Sequence, residues 1–243
     1  VSCAVLAIQA SRSKVMENSK RRFLKGACAL LAGASGSTLL ATVNASNEAK
    51  AEPSVKYALI HDETKCIGCR ACEVACRETN QVPEGVARLK IEQTGPYGEY
   101  PNQFYHFSRK SCQHCEDAPC VNVCPTGAAF IDKETGIVAV DAWKCVGCQY
   151  CIAACPYKIR FINPVTHAAD KCDFCRETNL AQGKQPACVA ACPTKALVFG
   201  NLKDPTSQVV QVLKANPTQR AKVDLGTRPK LFRIVAKSGE VAI

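Results

Sequence analysis

The stretch CVGCQYCIAACP, residues 145–156, places four cysteines and a proline within twelve residues. The chain has 18 cysteines among 243 residues, and 16 of them fall into four groups of four. The groups are, in chain order, Cys66, Cys69, Cys72 and Cys76; Cys112, Cys115, Cys120 and Cys124; Cys145, Cys148, Cys151 and Cys155; and Cys172, Cys175, Cys188 and Cys192. Only Cys3 and Cys28 lie outside them, so these four groups are the main feature of the sequence.

Three chemistries could use so many thiols: disulfides, zinc sites and iron–sulfur clusters. Disulfides stabilise small secreted domains and do not require any regular C-x2-C-x2-C-x3-C spacing. Zinc sites usually take two cysteine pairs separated by a longer span. The first and third groups instead have the ferredoxin spacing, in which three cysteines bind one cluster and the fourth binds another. The spacing favours iron–sulfur clusters, and a zinc-stabilised scaffold without a redox role is the alternative of a different class.

The spacing also has a geometric reason. Gly68 and Gly147 fit a loop that curls around a cluster, because glycine tolerates positive φ. Cys72 and Cys76 are four residues apart, so on a helix they share one face about 6 Å apart along its axis. One helical turn would then fix the separation of two clusters. Ile67 and Val146 are predicted to cover the clusters and exclude water, and Pro125, Pro156 and Pro193 to end the turns that they follow.

The sequence repeats itself internally. CIGCRACEVAC in the first group matches CVGCQYCIAAC in the third, and CPTGAAFID after the second matches CPTKALVFG after the fourth. We therefore predict an α+β fold of duplicated bacterial ferredoxin-like modules, each with two [4Fe–4S] clusters, short helices, small β-hairpins and long loops. The predicted four-cluster domain is 54–200, with an inner module at about 103–165 and an outer module from about 57–90 with 166–200; 201–243 is a helix and an extended tail.

No catalytic residue is predicted. The chain has no C-x-x-C-H haem motif, no G-x-G-x-x-G, no H-E-x-x-H and no P-loop. Four clusters in one chain therefore indicate an electron carrier. Among the histidines, His61, His106 and His167 are interpreted as surface or structural residues. His114 lies inside the second group and is either a loop residue or a hydrogen-bond donor near a sulfur.

The segments between the groups predict a few regular elements. Residues 86–109 alternate apolar and polar on both sides of TGPYGEYPN, which predicts a β-hairpin that could serve as a docking flap. Residues 205–215 predict an amphipathic helix with Asp204 as N-cap and Pro205 at its first position. The segment RPKLFRIV, 228–235, predicts an extended strand that either packs on the chain itself or contacts a partner.

The charge argues against a nucleic-acid partner. The formal net charge is +10, and residues 1–45 carry six basic and one acidic residue, or +5 of that total. The remaining 25 basic and 20 acidic residues give another +5. No run interleaves basic and aromatic residues, so nucleic-acid binding is not expected. The excess of positive charge either offsets the negative charge of the clusters or forms a solvated basic face.

Residues 1–45 are predicted to be a leader. NSKRRFLKGACALLAGASGSTLLATVNAS, 18–46, has a basic start, an apolar run rich in small residues and small residues near its end. SKRRFLK resembles the twin-arginine export motif, with Lys20 in place of the first arginine and Arg21 as the second. Translation is expected to start at Met16, with cleavage after Ala45 or Ala51. The leader thus predicts a periplasmic protein that is exported folded and contacts the membrane only through a partner.

Four longer stretches carry a resemblance to a known family. HDETKCIGCRACEVACRETNQVPEGVARL, RKSCQHCEDAPCVNVCPTGAAF, CVGCQYCIAACPYKIRFINPVTHAADKCDFC and PACVAACPTKALVFGNLKDPTS resemble four-cluster iron–sulfur subunits of the dimethyl-sulfoxide-reductase type. They look most like the iron–sulfur subunit of the periplasmic formate-dependent, ammonia-forming nitrite reductase system. The resemblance runs from about residue 54 to the end of the chain.

The resemblance implies a role in anaerobic respiration. A polytopic membrane subunit would oxidise menaquinol, and single electrons would pass through four [4Fe–4S] clusters to a periplasmic multihaem cytochrome that reduces nitrite. The alternative acceptor is a molybdopterin oxidoreductase for tetrathionate, thiosulfate or a similar compound. The resemblance also implies crossed ligand sets: Cys66, Cys69, Cys72 with Cys192; Cys112, Cys115, Cys120 with Cys155; Cys145, Cys148, Cys151 with Cys124; and Cys172, Cys175, Cys188 with Cys76.

Overall fold

A computed structural model describes residues 52–236. The predicted leader, its start at Met16 and the predicted cleavage positions at Ala45 and Ala51 all lie outside the described residues. Within 52–236, no helix has the length and apolar character needed to cross a membrane.

Short helices and small sheets alternate along the described chain. The strands are β1 (Tyr57–Asp62), β2 (Leu89–Tyr97), β3 (Phe104–Ser111), β4 (Ala129–Ile131), β5 (Val138–Val140), β6 (Phe161–Ile162), β7 (Ala169–Asp170), β8 (Leu197–Asn201) and β9 (Leu231–Ile234). The helices are α1 (Ala71–Thr79), α2 (Pro119–Asn122), α3 (Tyr150–Ala153), α4 (Ala187–Ala190) and α5 (Gln208–Ala215), with 3-10 turns at Leu180–Gln182 and Val223–Leu225. The predicted α+β class is confirmed.

The largest sheet in the described residues joins distant parts of the sequence. Strand β1 lies in its centre, antiparallel to β8 and parallel to β9. Because side chains alternate along a strand, Ala58 and Ile60 pack with Val209 of α5, while Leu59 packs in the core on the opposite side, among cysteines. The segment 228–235 therefore packs on the chain itself through β9, which confirms the extended, self-packing alternative.

The predicted hairpin is confirmed as β2 and β3, which pair from Leu89 opposite Ser111 onwards. Its Phe107 ring packs against the first cysteine loop at Gly68, where the Cβ of any other residue would collide with the ring. Gly68 also has a φ of 68°, so both the backbone conformation and the lack of space require glycine. The carboxylate of Glu73 in α1 accepts a hydrogen bond from the Ile91 backbone N–H at 2.6 Å, which holds the hairpin beside this loop.

The helix predicted for 205–215 begins later, at Gln208, and Asp204 is not its N-cap. The Asp204 carboxylate instead accepts hydrogen bonds from the Thr206 backbone N–H at 2.9 Å and hydroxyl at 2.7 Å. These bonds stabilise a turn before the helix, since a short acidic side chain competes for nearby backbone donors. Ser207 occupies the N-cap position without a side-chain cap bond.

Cysteines form a large part of the interior. One core cluster combines Cys72, Cys76, Cys112, Cys172 and Cys188 with apolar residues that include Leu59 and Phe174. A second combines Cys115, Cys120 and Cys151 with Val138. The core is thus made from cysteine loops and short elements.

Candidate cluster sites

The first and fourth cysteine groups meet at one cavity. Cys66, Cys69, Cys72 and Cys192 line about 340 Å³ of space, part of which is open to solvent. The loop before α1 supplies the first two thiols and α1 supplies the third, after Arg70 takes a left-handed conformation with φ of 59°. The fourth thiol follows α4, so the site joins chain segments more than 100 residues apart.

The second and third groups meet at a matching cavity. Cys145, Cys148, Cys151 and Cys124 line another space of about 340 Å³. Gly147 has a φ of 68°, equal to that of Gly68, and Gln149 before α3 is left-handed like Arg70 before α1. The two loops therefore follow the same backbone path, as their matching sequences indicate.

The remaining eight cysteines form two sets in the interior. Burial, together with the nearby thiols of Cys112, Cys120 and Cys155, raises the pKa of Cys115 to about 11. Burial raises the pKa of Cys172 strongly, with Cys76 and Cys188 among its neighbours. Cys175 belongs to the same set as Cys76, because Asn80 contacts both residues: its Nδ2 lies 3.4 Å from Cys175 Sγ and 3.8 Å from Cys76 Sγ.

The four sets differ in exposure. Cys69 and Cys148 are exposed, and each belongs to one of the two cavities. Every cysteine of the two interior sets is buried; these are Cys112, Cys115, Cys120, Cys155, Cys172, Cys175, Cys188 and Cys76. Two sets therefore reach the surface and two do not.

Ile67 and Val146 line the two cavities but do not seal them. Their side chains are 61% and 68% exposed, which corrects the prediction that they exclude water. Trp143, which is 99% exposed, lies on the same loop as Val146, and Tyr150, which is 61% exposed, is the first residue of the following helix α3. Each of the two cavities therefore has an apolar lining side chain that faces solvent.

Donors to sulfur repeat between the second and fourth groups. The Ala129 backbone N–H lies 3.3 Å from Cys124 Sγ, and the Ala196 N–H lies 3.3 Å from Cys192 Sγ. A threonine hydroxyl lies 3.7 Å from each sulfur, from Thr126 and Thr194 respectively. Slight burial acts to raise the pKa of Cys124, but the hydrogen-bond donors around its sulfur outweigh this effect and hold the pKa below its ordinary value. Donors of this kind favour the thiolate, which is the form that binds metal.

Two buried arginines lie among the interior cysteines. Arg160 donates from Nη2 to Cys120 Sγ at 3.0 Å, and Arg109 Nη2 lies 4.0 Å from Cys172 Sγ. Burial disfavours their charges, yet the neighbouring thiols raise the pKa of both arginines, with Cys120 acting on Arg160 and Cys188 on Arg109. Both guanidinium groups are therefore charged beside sulfur.

These arginines and Asn80 were not predicted as site residues. The available signal was weak: Arg109 stands three residues before Cys112, and Arg160 stands five residues after Cys155. Asn80 has no signal of its own, because only the folded chain brings it to Cys175. Of the histidines, His61 and His106 are buried, His167 is exposed, and His114 is completely buried.

The donor set fits clusters better than single ions or disulfides. All 16 grouped cysteines are free thiols. A single zinc ion would need its sulfur ligands at about 2.3 Å from the metal. Within residues 52–236, no three His, Cys, Asp or Glu side chains converge closely enough to hold one metal ion. Arg109 Nη1, Arg160 Nη1 and both ring nitrogens of His114 are buried without a protein partner in this part of the chain. Buried donors need acceptors, and the sulfides of a cluster are suitable ones.

Two family matches cover the cysteine region. Residues 65–128 and residues 103–202 each match a family described as a 4Fe-4S dicluster domain. Two dicluster matches and 16 cysteines correspond to four [4Fe–4S] clusters, which are the cofactors of this protein.

Similar proteins extend the match over almost the whole sequence. The protein is 59% identical over 222 residues to Protein NrfC homolog of Haemophilus influenzae, which covers 91% of this sequence and 97% of that protein. It is 58% identical over 226 residues to Protein NrfC of Escherichia coli K12, with 92% and 98% covered. It is 51% identical over 188 residues to the B subunit of polysulfide reductase of Wolinella succinogenes, with 76% and 97% covered. The chain belongs to this family of ferredoxin-type electron-transfer iron–sulfur subunits.

Proposed function

We propose that the chain relays single electrons from a membrane quinol-oxidising subunit to a periplasmic multihaem nitrite reductase in anaerobic respiration. The observation that carries this proposal is the arrangement of the cysteines: two sets line cavities that reach the surface, and the other two sets are buried. A relay needs one exposed site for a donor and another for an acceptor, with buried sites connecting them. The identity with Protein NrfC over 92% of the chain supports the nitrite system as the setting.

We assign the ligands of the four clusters to the four sets of cysteines. Cys66, Cys69, Cys72 and Cys192 hold one exposed cluster, and Cys145, Cys148, Cys151 and Cys124 hold the other. The interior ligand sets are Cys112, Cys115, Cys120 with Cys155, and Cys172, Cys175, Cys188 with Cys76. Each cluster, when bound, accepts and releases one electron. Two duplicated modules, an inner one at about 103–165 and an outer one from about 57–90 with 166–200, would each hold two of these sites.

The protein contributes charge and hydrogen bonds to this chemistry. Arg109 and Arg160 supply buried positive charge beside thiolates, which stabilises the more negative, reduced state. Asn80 is itself held in place, because its Oδ1 accepts from Arg88 Nη1 at 3.3 Å. No residue acts on a substrate in this proposal, so the chain is a carrier and not the catalytic subunit.

The exposed apolar residues beside the outer cysteines would be the contact surfaces for the two partners. Val146 lines one exposed site, with the exposed Trp143 and Tyr150 close to it in sequence, and Ile67 lines the other. Aromatic residues with a large exposed area are enriched in protein–protein contacts. The leader, by its resemblance to twin-arginine signals, supports export of the folded chain to the periplasm, where it would contact the membrane only through its partner.

The identity with the B subunit of polysulfide reductase supports a second candidate acceptor. In that case the same four clusters would pass electrons to a molybdopterin oxidoreductase that reduces tetrathionate, thiosulfate or a similar sulfur compound. The ligand assignment is the same for both acceptors. Only the protein that docks at the exit site differs.

Reconstitution distinguishes these candidates. The mature protein would be purified anaerobically with its membrane partner, reduced with a menaquinol analogue and followed by electron paramagnetic resonance (EPR). We expect the cluster signals to appear with quinol and to disappear only when nitrite and the multihaem reductase are both added. Reduction without that reoxidation would move the acceptor to the molybdopterin enzyme. Absence of any quinol-reducible iron signal would contradict the relay.

A further inference from the structure

The third position of every C-x2-C loop has a left-handed backbone. Gly68 and Gly147 occupy it in the two exposed loops, each with φ of 68°. His114 and Phe174 occupy it in the two interior loops, with φ of 46° and 58°. Glycine adopts this conformation freely and histidine more readily than most residues, whereas a bulky residue such as phenylalanine is strained in it. The two interior loops therefore carry bulky rings at positions where the backbone favours glycine.

These two rings stack on each other. The ring centroids of His114 and Phe174 are 3.7 Å apart, with an angle of 21° between the planes. His114 is 0% exposed and Phe174 is 1% exposed. Each ring lies between two cysteines of its own loop, Cys112 and Cys115 for His114, and Cys172 and Cys175 for Phe174. The stack is consequently a direct contact between the two interior cysteine sets.

The stack belongs to a wider packed region. Phe174 also meets Phe199 of β8 edge to face, with ring centroids 5.1 Å apart. Phe199 in turn stacks on Tyr57 of β1 at 4.9 Å. Packing on the three-stranded sheet thus fixes the position of Phe174, and through it the position of His114.

The packing of the His114 ring is not directed by hydrogen bonds to the protein. Neither of its ring nitrogens has a protein partner within residues 52–236. The stack on Phe174 is therefore the aromatic contact that positions this ring.

We propose that the His114–Phe174 stack is the contact that sets the separation of the two interior clusters and carries electrons between them. The inference rests on the proposed function, because it requires clusters at both interior sets. In the step concerned, one electron leaves one cluster, which is oxidised by one electron, and reduces the other by one; no proton is transferred. His114 and Phe174 are positioning residues that provide a continuous packed path where a gap would interrupt contact.

The test replaces the rings while preserving the loops. Phe174→Leu keeps an apolar side chain of similar volume, and His114→Gly provides the residue that the exposed loops carry at this position. His114→Phe keeps a stacked ring but removes the nitrogens. His167→Gly is the matched control, because His167 is exposed and also has a positive φ of 55°.

Each purified holoprotein would receive less than one electron per chain from a flash-generated reductant, and freeze-quenched EPR would follow the redistribution of that electron between the two interior clusters. We expect severalfold slower redistribution in Phe174→Leu and His114→Gly, and wild-type rates in His114→Phe and His167→Gly. Iron content would be measured for every variant. Wild-type protein without reducible clusters would reject the proposed function itself.

Two outcomes would overturn the role of the stack while leaving the relay intact. One is unchanged redistribution in Phe174→Leu and His114→Gly with a full iron content. The other is loss of iron from both of these variants with wild-type iron in His114→Phe, which would give the stack a folding role alone.

Discussion

Arg160 donates a hydrogen bond from Nη2 to Sγ of Cys120 over 3.0 Å, across 40 positions of sequence. Both residues are buried, so solvent screens this interaction weakly. The bond places a permanent positive charge at one interior cysteine set. A reduced cluster carries one more negative charge than an oxidised one, so Arg160 favours reduction.

Replacing Arg160 with glutamine should lower the reduction potential of the cluster that Cys120 binds. The loss of one buried charge should shift it by tens of millivolts, since a tenfold change in a one-electron equilibrium corresponds to about 59 mV. A redox titration followed by EPR measures the potential of each cluster. Arg220→Gln is the control, because Arg220 is exposed and packs over Phe232. Equal potentials in wild type and Arg160→Gln would contradict this assignment.

Replacing Cys155 with serine tests the crossed ligand sets. Cys155 lies near Cys115 and Cys120, although its sequence neighbours are in the third group. We therefore expect Cys155→Ser to impair the cluster that responds to Arg160→Gln and to remove at most about a quarter of the iron. Cys124→Ser is the matched variant and should affect the exposed cluster of Cys145 and Cys148 instead. If Cys155→Ser abolished that exposed cluster, the ligands would be sequential and the crossed assignment would be wrong.

Sequence spacing could predict the loops and their chemistry because ligand geometry is local. Three thiols within seven residues and a glycine at Gly68 or Gly147 describe a loop that needs no long-range information. The hairpin of β2 and β3 was predictable for the same reason, since alternation and a turn are local signals. The start of α5 was not, because Asp204 competes for Thr206 instead of capping the helix.

The surroundings of the clusters could not be predicted because they arise from tertiary packing. Arg109, Arg160 and Asn80 are ordinary polar residues in the sequence, and only the fold buries them beside sulfur. The strand order β8–β1–β9 is also invisible locally, because it pairs residues more than 130 positions apart. His114 shows the same limit: its position in the second group was visible, but its stack on Phe174 was not.

Replacing Trp143 with serine should weaken electron exchange with one partner and leave the fold unchanged. Trp143 is 99% exposed, so its truncation should change the free energy of unfolding by less than about 0.5 kcal/mol. A central interface tryptophan contributes about 2 kcal/mol or more, which corresponds to roughly 30-fold in affinity. Val223→Ser, at a residue 57% exposed, is the control. Binding and reduction rates would be measured with each purified partner. Trp143→Ser should differ from wild type with only one partner, and wild-type rates with both partners would argue against this contact surface.

Replacing Arg233 with methionine should destabilise the protein through a buried ion pair. Arg233 on β9 donates from Nε to Glu63 Oε1 at 2.6 Å, and both residues are buried. His61 is nearby but cannot replace the charge, because burial and the charges of Arg109 and Arg233 lower its pKa to about 3. Leaving Glu63 unpaired should cost about 3–5 kcal/mol at neutral pH. Lys110→Met, which breaks the exposed pair with Glu92, should cost about 0–1 kcal/mol.

The loss of unfolding free energy caused by Arg233→Met should become smaller as the pH falls. Burial raises the pKa of Glu63 while the charge of Arg233 opposes that effect, so removing Arg233 raises the pKa further. A carboxyl group whose pKa is higher in the folded state stabilises the fold below its unfolded pKa, and this contribution is lost as the pH rises through the folded value. Anaerobic urea titrations at pH 8 and pH 6 should therefore give a larger difference from wild type at pH 8. An equal difference at both pH values, or one as small as that of Lys110→Met, would mean that Glu63 does not depend on Arg233 for its charge.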